Sequence, residues 1–129
     1  MAPSRSGFAY AVVRVVPDIE REEFVNAGLI LFDRERGFLV ARTRLDPAAV
    51  DALRADCDHE AIRRQLELVE QIAEGSIATA PFATMSQSER FHWLTTPRST
   101  VVQPGPLHTG VTEDPSATFE HVFGLLVAR

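Results

Sequence analysis

Two apolar stretches, Phe24 to Phe32 (FVNAGLILF) and Phe38 to Arg44 (FLVARTR), flank the turn-like Asp33-Arg34-Glu35-Arg36-Gly37. Together they read as an antiparallel β-hairpin. With Phe32 placed opposite Phe38, Ile30 faces Val40, Gly28 faces Arg42 and Asn26 faces Arg44, all on the Phe24 side. Val25, Ala27, Leu29, Leu31, Leu39 and Ala41 then fill the other side. A sheet with one wet face alternates polar and apolar residues, whereas this hairpin is largely apolar on both. It therefore needs cover on each face, from helices or from another subunit.

The rest of the chain supplies the cover. Phe8 to Val16 is aromatic and β-branched and stops at Pro17, which predicts a strand. Asp46-Pro47 has an N-cap followed by proline at the first helical position and starts a short helix. Ile62, Leu66, Val69 and Ile72 recur at helical spacing after Asp58, with Gly75 as the left-handed stop. Ser86-Gln87-Ser88-Glu89 has capping-box spacing and opens a helix of about two turns that ends before Pro97. Asp114-Pro115 repeats the cap-plus-proline start, and Phe119, Val122, Phe123 and Leu126 form one stripe. Between these last two helices Ser99 to Gln103 is a candidate fourth strand, and Pro104-Gly105-Pro106 is turn or extended loop. Strands come first and helices mostly follow, so the expected fold is α+β: a mainly antiparallel three- or four-stranded sheet carrying the Ile62 helix and the C-terminal helix. No repeat, low-complexity tract or linker interrupts it, and one domain is expected over residues 1–129.

Composition narrows the chemistry. All 13 basic residues are arginine. Without lysine there is no Schiff base, no P-loop ammonium and no kinase-type phosphate lysine. A single cysteine excludes an internal disulfide and a cysteine-based zinc site. The net charge of −5 opposes nucleic-acid binding, which needs a cationic surplus to displace counterions. No apolar run reaches the roughly 20 residues that span a bilayer. Arg14 and Pro17 also interrupt what a signal peptide would keep apolar. A cytoplasmic protein without membrane or nucleic-acid partners is expected, and the arginine-rich, lysine-free usage suggests a bacterial source.

Three polar groupings invite a functional reading. Asp56-Cys57-Asp58-His59-Glu60 concentrates ligand-type side chains, yet flanking carboxylates raise a thiol's pKa and helix starts attract acids. It reads as a capped, solvated turn. Arg14, Asn26, Arg42 and Arg44 are polar residues in apolar strands. Either Arg14 pairs with Glu20, Glu22 or Glu23 while Arg42 and Arg44 snorkel at a sheet end, or the set forms an anion pocket using the planar arginine fork. Arg98, Ser99, Gln103, His108 and Thr109 lie on the Pro/Gly-rich segment, where rigid turns can fix polar groups at a surface. There His108 is the candidate general acid or base, and Arg14, Asn26, Arg98, Ser99, Gln103 and Thr109 are the candidate ligand-binding residues. No Gly-x-Ser-x-Gly elbow accompanies Ser99, and the four histidines show no metal-ligand spacing, so neither metal nor cofactor is expected.

Tyr10 to Pro17 (YAVVRVVP), Phe24 to Leu31 (FVNAGLIL) and Pro97 to Gly110 (PRSTVVQPGPLHTG) together resemble the bacterial family catalogued as domain of unknown function 3037. The resemblance runs over nearly the whole chain and carries no catalytic residues. Members of that family are often encoded beside a kinase resembling the HipA toxin kinases, so the resemblance implies a protein partner or a shared pathway. Two functions are therefore carried forward: a non-enzymatic partner or regulatory protein, associating with such a kinase or with its own copies, and an anion-binding domain or enzyme for a nucleotide or phosphorylated metabolite using Arg98 and His108.

Overall fold

The computed structural model describes residues 4–128. Strand β1 (Ser6–Val15) is the hub of the sheet. It pairs antiparallel with β2 (Val25–Asp33), which pairs antiparallel with β3 (Phe38–Thr43). On its other edge β1 carries two short strands end to end: β5 (His108–Thr112) beside Ser6 to Tyr10, and β4 (Val102–Pro104) beside Val13 to Val15. The sheet thus has five strands in an antiparallel α+β fold. The fifth strand comes from the segment whose prolines suggested loop. Pro104 stands at the end of an edge strand, where its missing N–H costs nothing, and Gly105 N–H continues the ladder to the Val12 carbonyl at 2.8 Å.

The hairpin register differs by one residue from the sequence expectation. Phe32 lies opposite Leu39, and Asp33 opposite Phe38. The cause is Asp33, which belongs to the strand rather than the turn. Its carboxylate is fully buried, accepts the Ser6 hydroxyl and accepts Arg36 N–H at 3.2 Å. The turn is then Arg34 to Gly37, closed by Gly37 N–H to the Arg34 carbonyl at 3.2 Å. Because strand side chains alternate, the shift pairs Leu29 with Arg42 and Ile30 with Ala41. A second irregularity lies in β2: Val13 faces Gly28 but Arg14 faces Asn26, so Ala27 is the extra residue of a β-bulge. The bulge switches the facing of Val25 to Ala27 relative to the rest of β2.

Helices cover both faces. On one side α1 (Pro47–Leu53), α2 (His59–Glu74) and α3 (Gln87–Thr95) bury Val50, Ile62, Leu66, Ile72 and Leu94 against Val13, Val15, Ile30 and Leu39. On the other, α4 (Pro115–Leu126) presses Phe119 and Phe123 onto Leu29 and Leu31. The caps are those anticipated: Asp46, Asp58 and Asp114 side chains accept from the first helical turns, and Ser86 and Glu89 form the reciprocal capping box. That box holds the Glu89 carboxyl below its usual range. Gly75, at φ 76°, ends α2 in the left-handed conformation. Among the described residues no helix is long and apolar enough to cross a membrane.

Candidate anion-binding site

Arg14 is the second-last residue of β1, on the face that carries α4. Its cross-strand neighbours are Asn26 on β2 and Gln103 on β4, so three polar residues form a row across the sheet end. Its guanidinium is held flat. Cζ lies 3.9 Å from the centroid of the Phe24 ring, a cation–π distance. On the Gly105 side a methyl group would stand only 3.0 Å from Arg14 Nε and 3.1 Å from Cζ, so glycine leaves the slot that the guanidinium occupies.

Arg14 Nε is buried without a hydrogen-bond partner, and among the described residues no carboxylate pairs with the group. The expected partners are engaged elsewhere or stand apart: Glu23 pairs with Arg21 at 2.5 Å, and neither Glu20 nor Glu22 makes an ion pair with Arg14. Arg90 is the instructive contrast, since its Nε is also unpartnered but its terminal nitrogens donate to the Met85 and Ala73 carbonyls. A buried donor without a partner costs on the order of 1–3 kcal/mol.

Arg14 opens on a pocket of about 400 Å³, lined also by Val16, Ile19, Glu22, Phe24, Ser99 and Gln103. Gln103 donates one amide N–H to the Thr100 carbonyl at 2.7 Å, which fixes the side chain and leaves its second N–H and its oxygen to a ligand. Glu22 holds a left-handed backbone conformation at φ 57°, which a residue other than glycine adopts at a cost. The pocket therefore combines a fixed, half-buried cation with a hydroxyl, an amide and one rim carboxylate. Such a set can grip an oxyanion through the arginine fork.

The remaining residues expected from sequence disperse. Asn26 donates to the Leu126 carbonyl at 3.0 Å and ties β2 to the end of α4. Arg98 bonds its own segment, with Nη2 to the Trp93 carbonyl at 2.6 Å and Nε to the Thr96 carbonyl at 3.3 Å, and lies 4.4 Å over the Trp93 ring. His108 and Thr109 are exposed on β5, where His108 stacks on Tyr10 with 5.1 Å between ring centroids. Tyr10 and Arg14 are four residues apart on β1, or roughly 13 Å. Arg14, Ser99 and Gln103 are thus brought together, Arg98 stands on a separate pocket that also reaches Gln103, and His108 and Thr109 lie apart.

Arg42 accounts for itself by a two-pronged pair with Glu120 on α4, at 2.8 and 2.7 Å. Arg44 is exposed, its backbone N–H bonded to the Ala27 carbonyl. The acidic run after α1 is a capped turn: Asp58 caps α2, Asp56 pairs with Arg54, His59 meets Asp51 at 2.8 Å, and Glu60 pairs with Arg63. Burial raises the Cys57 thiol, with Asp56 and Asp51 adding to the rise and Arg54 opposing it. Among the described residues no three histidines, cysteines or carboxylates converge to hold a metal ion.

Phe24, Glu22 and Gly105 were not anticipated as parts of a site. Gly105 reads in sequence as a turn residue between two prolines, and no local pattern shows that a side chain from β1 crosses it. Neither the curated proteins nor the solved structures contain a match to the chain. A family model does match, over residues 10–127, and that span includes every residue lining the Arg14 pocket. On this match the chain belongs to the family described as protein of unknown function, DUF3037.

Proposed function

We propose that this protein is a binding domain for a small oxyanion, a carboxylate or phosphate, seated on Arg14. The carrying observation is a half-buried guanidinium, its Nε fully buried, that has no hydrogen-bond or ionic partner among the described residues yet is clamped between the Phe24 ring and Gly105. A buried Nε–H left without an acceptor lowers stability, and an arrangement that keeps it in place is accounted for by a ligand that supplies the missing acceptor. Glu22 on the rim opposes a high negative charge, so a singly charged oxyanion fits better than a dianion. Isothermal titration with acetate, inorganic phosphate and sulfate, beside thermal melts in each, tests the reading. Binding raises the melting temperature, and the rise continues with the logarithm of ligand concentration above the Kd. Arg14→Gln is expected to abolish the response while melting close to wild type, because it removes a buried donor without an acceptor together with the cation–π contact to Phe24. Gly105→Ala is expected to weaken it by displacing the guanidinium. If no oxyanion shifts the wild type, or if Arg14→Gln melts several degrees lower with binding unaltered, Arg14 is scaffold.

A second reading, association with another protein, is favoured by one observation. Both faces of the hairpin are covered by the chain's own helices, so what stays open is the two edges of the sheet, β3 at one and β4 with β5 at the other, and β5 is the edge strand that bears an exposed large apolar residue. It carries Val111, 64% exposed, and follows Leu107, 54% exposed. An unpaired strand edge with apolar side chains suits addition of a further strand.

A further inference from the structure

We propose a second binding site, independent of Arg14, for a small carboxylate with an apolar body about the size of a benzene ring. The site is a pocket of about 180 Å³ on the α2 face of the sheet, between α2, α3 and β4. Its walls are apolar: Val13, Ile30, Leu68, Val69, Ile72 and Trp93. Leu68 remains 41% exposed at its lip. An apolar cavity of roughly 150 Å³ in a protein stays dry and accepts benzene, so a pocket of this size and lining rewards an apolar occupant of that volume.

The charge at the mouth sets the rest of the ligand. Arg98 is the only charged residue among those lining the pocket, and no carboxylate lines it. Its guanidinium is immobilised over Trp93 by the bonds from Nη2 and Nε to the Trp93 and Thr96 carbonyls, and Nη1 has no acceptor among the described residues. The neighbouring polar groups have donors engaged: the Thr100 hydroxyl donates to the Val102 carbonyl and one Gln103 amide N–H to the Thr100 carbonyl, both at 2.7 Å. Arg98, the amide of Gln65 and the second N–H of Gln103 are the donors left to an occupant, and Arg98 is the charged one. A fixed cation above an apolar hollow selects one negative charge on an apolar body. To the hydrogen bond a carboxylate adds the Coulomb attraction between two full charges, which its neutral amide lacks.

The chain's single tryptophan forms part of the wall, so its fluorescence reports occupancy. Benzoate is expected to change Trp93 emission saturably, and neutral benzamide to bind about tenfold more weakly. Arg98→Gln is expected to erase that difference, Val69→Phe to abolish binding of both by filling the hollow, and Arg14→Gln to leave benzoate binding as in wild type. The wild-type comparison of benzoate with benzamide stands even where a variant fails to fold. No saturable Trp93 response, equal binding of the two probes by wild type, or loss of benzoate binding in Arg14→Gln but not in Arg98→Gln would each overturn the proposal. The last outcome would assign the carboxylate to the Arg14 pocket instead.

Discussion

Arg14 and Arg42 are the same anomaly in the sequence, a cation in an apolar strand, and the structure resolves them in opposite ways. Arg42 lies over Phe119 and Phe123 at 5.0 and 5.2 Å and meets Glu120 with both terminal nitrogens, which holds the Glu120 carboxyl below its usual range. Arg14 has the aromatic contact and lacks the carboxylate. Which outcome applies depends on what α4 and the Gly105 loop bring across the sheet, and that is not encoded near either arginine. Glycine shows the same limit. Gly28 reads as one small residue in a hairpin, yet it sits where the β2 bulge brings three neighbours close. A methyl group there would lie 2.9 Å from the Arg42 carbonyl oxygen, 3.0 Å from Thr43 Cγ2 and 3.2 Å from Val13 Cβ. Two of these belong to β3 and one to β1, so relief requires moving a strand backbone. Gly28→Ala is expected to destabilise the fold by about 1–3 kcal/mol, as overpacking does. Urea unfolding measures it, and a change below about 0.5 kcal/mol, the scale of ordinary surface substitutions, would show that the bulge yields freely.

The elements themselves were legible where the signal is local. Asp46, Asp58, Ser86 and Asp114 announce their helices because a cap is a contact between residues two or three apart. β5 was not, because His108 to Thr112 becomes a strand by pairing with Ser6 to Tyr10, about a hundred residues away in sequence. Register was misjudged for a similar reason: the Ser6 hydroxyl, from another strand, makes Asp33 a buried strand residue rather than a turn residue. The position of β5 gives a test of association. If its outer edge receives a second copy of the chain, sedimentation velocity should show a concentration-dependent dimer. Leu107→Lys with Val111→Lys should return it to monomer, since charges on an edge strand oppose pairing. Both side chains are exposed, so the substitutions should leave the melting temperature within a few degrees of wild type. A monomer in both proteins at every concentration would remove the second copy as the occupant of that edge.

At the scale of the molecule, one sheet serves as the wall of two separate cores. Leu29 and Leu31 face Phe119 and Phe123, while Val13, Val15, Ile30 and Leu39 face the α2 and α3 layer. Adjacent residues of β2, such as Leu29, Ile30 and Leu31, therefore belong to opposite cores, and each is at most 1% exposed. A strand cannot loosen on one side alone, because the backbone that carries Leu31 also positions Ile30. Unfolding should accordingly be one cooperative transition even though the cores share no side chains. Phe119→Ala tests this from the α4 side. Phe119 is 1% exposed, and its truncation should cost about 3–5 kcal/mol from lost burial and the cavity left behind. Trp93 sits in the opposite layer, packed against the α2-side core and edge-on to Phe82 with 5.0 Å between ring centroids. If the sheet couples the layers, the midpoint reported by Trp93 fluorescence should fall as far as the midpoint reported by far-ultraviolet circular dichroism. A Trp93 midpoint that stays at the wild-type value while the dichroism transition broadens or splits would mean that α4 detaches by itself, and that the α2 side of the sheet holds its structure without it.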